Sequence, residues 1–597
     1  MSNSPVTAPP VDFDPDALQT RYRAERDRRL RADGTGQYVA TTGVHARYLD
    51  DPYVPALTRE AVSLDLDVLV IGGGFGGLLA AARLGEAGVE NLRVVEKGGD
   101  FGGTWYWNRY PGAQCDIESY VYMPLLEEIG HVPSEKYAHG PEILAHSRAI
   151  GRHFGLYDKT LFQTEVTGLT WDEAAQRWTA TTNRGDAIRA RFVTMSTGPL
   201  HRPKLPGVPG IETFKGHAFH TSRWDYEYTG GDTNGGLTRL ADKRVGIIGT
   251  GATAVQCVPH LGRWAQHLYV FQRTPSSIDE RRNRQTDPEW IRSLASGWQQ
   301  DRMDNFNQWV SGGRADVDLV DDGWTEVLGR IGRQNLGGPE AAEARQLADF
   351  AKMEQIRARV DAIVKDPVTA QALKPWYNQM CKRPCFHDDY LPTFNRPNVT
   401  LVDTQGQGVE RITERGVVAG GREYEVDCLI YGTGFEFQTG FAQRSGYEIT
   451  GRGGLTLTDK YRDGAATLYG VHTRGFPNCF ILGNAQQANT PNFTHMLNEV
   501  SRHVAFVVRA CLDRGIDAVE PSQAAEAAWV ADVMSFAPFR RQFDQDCTPG
   551  YYNNEGMPGD LQVRNGFYGG GSLPFIKLLN EWRARGDLAG LETTPQA

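Results

Sequence analysis

Two short glycine clusters carry the most legible chemistry in this chain. Gly72-x-Gly74-x-x-Gly77 stands between an apolar run, LDVLVIG, and a run of helix formers, FGGLLAAARLGE. The first glycine permits a tight turn, the second lets a pyrophosphate approach the backbone, and the third lets helix and strand pack closely. The following helix adds the positive end of its dipole, so Gly72, Gly74, Gly76 and Gly77 form a candidate dinucleotide cradle. The next apolar run, NLRVVE, ends in Glu96. A carboxylate about 20 residues beyond the last glycine accepts hydrogen bonds from ribose hydroxyls and repels a 2′-phosphate. That fits the adenosine of FAD or of NAD. A ligand-free glycine turn would share the three glycines but would not need Glu96 after the next strand.

The device recurs at Gly249-x-Gly251-x-x-Ala254, in the segment Gly249, Thr250, Gly251, Ala252, Thr253 and Ala254. Here the following strand, HLYVFQRTP, brings Arg273 and Thr274 to the place of the acid. A guanidinium and a hydroxyl suit a 2′-phosphate, so this second site is expected to prefer NADPH. The alternative for Arg273 is a solvated surface arginine. Two dinucleotides in one chain point to flavin chemistry, in which one cofactor stays and the other delivers hydride. Reductases and oxygenases both fit that scheme. A dithiol reductase needs a reactive cysteine pair near the flavin, and Cys115 stands alone there. Cys381, Cys385 and His387 are the residue types that bind zinc, but Lys382 and Arg383 sit among them and no second ligand pair lies nearby, so no metal site is expected.

These motifs need strand–turn–helix units to position them, and two such units far apart predict an α/β protein with two Rossmann-like dinucleotide-binding domains. Between about 285 and 375 the pattern turns helical, which reads as an insertion in the second domain. Strands are expected at 399–404 and 428–435, and a helix near 495–515. Residues 1–12 read as a disordered tail. Residues 14–31 read as a charged helix with a thin apolar edge of Leu18, Tyr22 and Leu30, either an arm packed over the body or a solvated helix with no part in the chemistry. The length of 597 residues exceeds one hydrophobic core. A net charge of −10 makes nucleic acid a poor partner, while a local basic pocket for a phosphate remains compatible with it. No apolar run approaches the roughly 18 residues of a membrane span. The start is polar and acidic, and the eight cysteines are scattered, so a disulfide framework is not expected and a cytoplasmic location is.

Two longer patterns narrow the reading. Residues 214–225, FKGHAFHTSRWD, resemble the fingerprint of Baeyer–Villiger monooxygenases at Phe214, Gly216, His220, Trp224 and Asp225. Residues 102–116, GGTWYWNRYPGAQCD, resemble the family's second pattern at Gly102, Gly103, Trp105, Tyr110, Pro111, Gly112 and Asp116. The resemblance spans roughly residues 62–580. It implies that Arg383 is the active-site arginine and that Lys382 reaches the NADPH 2′-phosphate. Thr104, Trp105, Asp116 and Tyr122 fall on the FAD side, and TGP (197–199) and GTGF (432–435) are the two chain crossings between domains. The implied division is an N-terminal extension (1–60), an FAD-binding domain in two parts (61–200 and 436–597) and an NADP-binding domain with its insertion (201–435). His220 is expected to couple domains or to sit buried on backbone partners, not to act as an acid or base. Gln114 departs from the arginine of many relatives. Gly550 and Tyr551, in CTPGYYNNEG, stand where several place a tryptophan near the nicotinamide. That segment, NFTHML (492–497) and the long N-terminal arm resemble members acting on large or multi-ring ketones.

The implied reaction turns a ketone into an ester or lactone with NADPH and O2. Its expected oxidant, a flavin C4a-peroxide anion, attacks the ketone and leaves a developing oxyanion. A permanently charged Arg383 in a dry site suits both anions, with Asp116 orienting it through a charge-assisted hydrogen bond, single or bidentate. Two rival readings are a flavin monooxygenase oxidising sulfur or nitrogen, which needs no anion-stabilising arginine, and a non-catalytic dinucleotide sensor. A structural ion pair is the plain alternative for Arg383. The sequence leaves the oligomeric state open.

Overall fold

The computed structural model describes residues 13–313, 315–332, 339–437, 439–483 and 485–596. The tail expected at 1–12 lies outside the described residues. In the first of two large sheets, the strand Ser63–Ile71 runs parallel to Leu92–Val95 on one side and Ala187–Met195 on the other. Thr160–Leu161 continues beyond Leu92–Val95, and Cys479–Ile481 lies parallel to Ala187–Met195. Val68, Leu69 and Val70 are fully buried, because helices and a neighbouring hairpin cover both faces of this strand. That is why the segment reads as a continuous apolar run without alternation. Since Cys479–Ile481 comes from the far end of the chain, two distant stretches build one sheet.

The second sheet has five parallel strands in the order Val399–Asp403, His267–Gln272, Arg244–Ile248, Cys428–Tyr431 and His217–His220. The two strands expected from sequence near 399 and 428 are both members. The helical stretch consists of Pro288–Ser293, Trp298–Val310, Gly323–Gly332, Pro339–Ile363 and Pro367–Leu373. Its apolar residues are shared among several clusters: Met303, Phe306 and Trp324 join the core of the first sheet, Val360, Val364, Ala370 and Leu373 that of the second, and Phe350, Met353 and Ile356 pack in smaller clusters of their own.

The chain crosses between the sheets twice, and the crossings are bonded to each other. The Lys204 amide donates to the Gly434 carbonyl at 2.9 Å, and the Thr433 hydroxyl to the Lys204 carbonyl at 2.5 Å. The N-terminal arm lands on the same place. Its helix, Pro15–Arg29, is capped by Asp14 and buries Leu18 and Tyr22 against Phe350. Leu30, counted above in the apolar edge, is 43% exposed, so the edge is thinner than the pattern suggests. Further along, Tyr38–Ala40 pairs antiparallel with Lys204–Pro206. The arm therefore packs over the body, next to the crossings.

One expectation fails. Cys381 and Cys547 form a disulfide across a sequence separation of 166. Scattered cysteines gave no hint of it, because the pairing depends on where the C-terminal loop folds back. Among the described residues no group of His, Cys, Asp and Glu is arranged to hold a metal ion, and no helix is long and apolar enough to cross a membrane.

Candidate active site

A cavity of about 880 Å³ lies between the two sheets, and both glycine turns open onto it. At the first turn Gly72 has φ +108°, and a Cβ there would stand 2.3 Å from the Ser196 carbonyl oxygen. A Cβ on Gly77 would stand 1.7 Å from the Gly72 oxygen, so the third glycine is demanded by helix–strand contact. Glu96 is buried and accepts from the Gly73 amide at 2.5 Å and the Gly98 amide at 2.6 Å. Burial raises its pKa and these two amides oppose the rise. A carboxylate has about four acceptor sites, so acceptor capacity for a ribose diol remains. At the second turn Gly249 has φ +114°, and its Cβ would meet the Gly432 oxygen at 2.3 Å. In front of Gly251 no protein atom lies within 4 Å of a Cβ position, which leaves the approach a pyrophosphate needs.

Between the turns sits one ion pair. Arg383 Nη2 donates to Asp116 Oδ1 at 2.5 Å, with Asp116 the more buried partner. A single bond, not a bidentate pair, joins them. Burial works most strongly against charge on Arg383, but Asp116 together with Tyr552, Tyr551 and Cys385 outweighs it, so the guanidinium pKa is held above its usual value. Trp324 completes the group. Its ring lies 5.3 Å from the Arg383 guanidinium carbon, and its indole N–H donates to the Asp116 carbonyl at 3.1 Å.

The two long sequence patterns pack on each other. Arg223 stacks over Trp107 at 3.9 Å, and the Tyr226 hydroxyl donates to the Arg109 carbonyl at 2.5 Å. Trp224 is buried and donates to Thr229. His220 is fully buried, accepts from the Ser222 amide through Nδ1, and sets its ring edge-on to Phe435 in the second crossing. Burial lowers its pKa to about 3, so it is a neutral imidazole near pH 7 and not an imidazolium acid.

This geometry has close relatives. A pyridine nucleotide-disulphide oxidoreductase family model matches residues 69–311. Neopentalenolactone D synthase of Streptomyces avermitilis is 55% identical, over 97% of this chain and 99% of that protein. Baeyer-Villiger monooxygenase ATR8 of Stachybotrys chlorohalonatus is 52% identical, over 97% and 95%. This chain belongs to the Baeyer–Villiger monooxygenases. A solved structure of the polycyclic ketone monooxygenase from Thermothelomyces thermophila superposes with TM-score 0.91 at 40% identity, covering 98% of this chain and 99% of that one. A structure of OTEMO in complex with FAD and NADP superposes with TM-score 0.75 at 29% identity, over 89% and 99%.

Of the residues that sequence singled out in this Baeyer–Villiger monooxygenase, Gly72, Gly74, Gly76, Glu96, Thr104, Trp105, Asp116, Tyr122, Gly251, Ala252, Thr253, Arg273, Lys382 and Arg383 all line the cavity. Gly77, Gly249, Thr250, Ala254 and Thr274 lie behind the lining and shape the backbone. Thr274 is buried and its carbonyl accepts from the Thr250 hydroxyl at 2.8 Å, so the backbone of this pair braces the second turn. Lys382 is pushed down to about 8, first by burial and then by Arg273, with Glu555 opposing. Gln114 meets the buried Arg281 side chain, whose guanidinium lies within electrostatic reach of Asp116. Gly550 faces Lys382: a Cβ there would stand 3.3 Å from the ammonium nitrogen. Tyr551 and Tyr552 fold toward the cavity, and both stand in the field of Arg383.

Sequence reasoning missed Trp324, Arg281, Glu555 and the arm residues Gln37 and Tyr38. None belongs to a dinucleotide or fingerprint motif, although Glu555 lies within the quoted segment CTPGYYNNEG. Each comes from an insertion, a loop or the arm, and reaches the site only through the tertiary fold.

Proposed function

We propose that this enzyme oxidises a bulky cyclic or polycyclic ketone to an ester or lactone, with FAD as resident cofactor and NADPH and O2 as co-substrates. One observation carries the reading: a single cavity receives both dinucleotide turns and the Arg383–Asp116 pair. FAD, when bound, would supply the redox and oxygen-transfer chemistry, with NADPH as the source of reducing equivalents. Gly72, Gly74, Gly76, Glu96, Thr104, Trp105 and Tyr122 would hold it. Gly251, Ala252, Thr253, Arg273 and Lys382 would hold NADPH. Arg383 keeps a positive charge in a water-poor site where negative charge develops on the ketone oxygen. Asp116 and Trp324 fix its direction, and neither can replace its charge. The 61–200 and 436–597 stretches would form the FAD-binding unit and 201–435 the NADP-binding unit.

Substrate size rests on the loop 547–556, where Gly550 stands at a position that, by the family resemblance, is a tryptophan in several members, and on likeness to proteins named polycyclic ketone monooxygenase and neopentalenolactone D synthase. An apolar pocket gains about 25 cal/mol per Å² of ligand surface buried, which a large ring can use and cyclohexanone cannot. A cytoplasmic location, where NADPH is supplied, belongs to the same proposal, and the Cys381–Cys547 bridge would then face a reducing pool.

Arg383→Ala should keep its flavin absorbance and lose ester formation by about 10²–10³-fold, the scale of removing an oxyanion donor. Asp116→Ala should lose less. A normal ester yield from Arg383→Ala would remove the arginine from its role. Across ketones of graded ring size, kcat/KM should rise with size. If cyclohexanone outperformed every larger ketone, the size assignment would fail and the family assignment would stand.

A further inference from the structure

Arg273, read above as the 2′-phosphate residue, already has an anion on it. Glu555 Oε2 lies 3.0 Å from Arg273 Nη2, and the Glu555 side chain is 5% exposed. Its other oxygen accepts from the Tyr38 hydroxyl at 3.2 Å, and Gln37 of the arm bonds to Arg273 beside it. Lys382 feels both partners. The carboxylate is built into place. Asn554 and Glu555 both adopt left-handed backbone, with φ +52° and +55°, uncommon for residues other than glycine. The buried Asn553 side chain holds that turn, donating to the Asp544 and Cys547 carbonyls at 3.1 and 3.2 Å and accepting from the Gly550 and Gly556 amides.

An acid at this arginine is the opposite of what a 2′-phosphate site calls for. A carboxylate and a phosphate bearing nearly two negative charges cannot share one partly buried guanidinium without strong repulsion. We propose that Glu555 is an internal competitor for Arg273 and sets coenzyme selectivity: the 2′-phosphate of NADPH must displace it. The 2′-hydroxyl of NADH is uncharged and cannot. Displacement removes the Glu555–Arg273 contact that ties the turn 550–556 to the second site, while Asn553 still holds the turn itself. Because the turn carries Tyr551 and Tyr552, charge at the ribose end is passed to the cavity facing Arg383. Gln37 and Tyr38 give the N-terminal arm a part in this, as the cover over the pair.

The proposal rests on the assignment of Arg273 to the 2′-phosphate, and the test separates the two. NADP⁺ and NAD⁺ would be titrated into FAD-loaded wild-type enzyme, Glu555→Gln and Arg273→Ala, read by the perturbation of flavin absorbance. Hydrogen exchange of residues 550–556 would be followed in parallel. Glu555→Gln, which keeps the shape and loses the charge, should bind NADP⁺ about 5–10-fold more tightly and NAD⁺ unchanged, a shift of roughly 1–1.4 kcal/mol. In wild type, exchange at 550–556 should rise with NADP⁺ and not with NAD⁺. In Glu555→Gln it should be raised before coenzyme is added. If Arg273→Ala discriminates the two coenzymes as well as wild type, the assignment of Arg273 falls and the proposal with it. If Arg273→Ala loses discrimination while Glu555→Gln binds NADP⁺ no better, or worse, the competition is refuted and Arg273 keeps its role.

Discussion

The two glycine turns share a backbone and differ in what surrounds it. Gly74 and Gly251 occupy the same motif position with nearly the same dihedrals, φ −77° ψ −174° and φ −75° ψ −176°. Gly72 and Gly249 both have strongly positive φ, and each backs onto the carbonyl of a passing chain. In front of Gly74, however, the Gly103 backbone lies 3.3 Å from a Cβ position, while the space before Gly251 is open. Their charged partners differ too. Glu96 is held by amides of its own unit, whereas the charge at the second site, Arg273, is met by a loop and an arm from distant parts of the chain. A lidded turn with its acid preset suits a cofactor that stays. An open turn whose cation is covered by side chains from a loop and an arm, and not by its own unit, suits one that exchanges.

Alanine at the third glycine of the first turn should have the largest effect. Gly77→Ala puts a Cβ into the Gly72 oxygen, and overpacking of that kind costs about 1–3 kcal/mol or more. Purified protein should be depleted of flavin and melt earlier. Gly251→Ala should melt as wild type and keep its flavin, because the extended backbone accepts a Cβ and nothing is struck. Its NADP⁺ Kd should still rise, about tenfold for each 1.4 kcal/mol of obstruction. Loss of flavin from Gly251→Ala would erase the contrast between the turns.

Protonation sharpens the same contrast. With the Lys382 pKa lowered to about 8, the ammonium is complete below that value and is lost as pH rises through it. NADP⁺ affinity should be level between the second pKa of the 2′-phosphate, about 6, and about pH 8, and fall above that by at most tenfold per pH unit. Lys382→Arg stays charged and should flatten the curve. An unchanged fall in that variant would place the titration elsewhere. The smallest effect is expected at the loop. Gly550→Trp should lower kcat/KM for large ketones more than for small ones. Because a Cβ there meets the Lys382 ammonium at 3.3 Å, it should also raise the KM for NADPH a few-fold. An effect on coenzyme alone would show that the glycine makes room for Lys382 and not for substrate.

Much of this was readable in the chain itself. Both turns, Glu96, Arg273, the helical insertion and the fingerprint residues are local: a glycine is needed where backbones touch, and periodicity records which face is buried. Arg383 and Asp116 were readable as a pair through the family patterns that carry them, 267 positions apart. Thr274 shows the limit, since strand and turn fix its position but not which way its hydroxyl faces. The tertiary structure alone decided that Trp324 braces Asp116, that Cys381 meets Cys547, that Gly550 faces an ammonium, and that Glu555 covers Arg273. The reason is physical. Motif residues are constrained by their immediate neighbours, so their types record their roles. A carboxylate on a loop is constrained by whatever the fold brings against it, and the same glutamate would read identically in solvent.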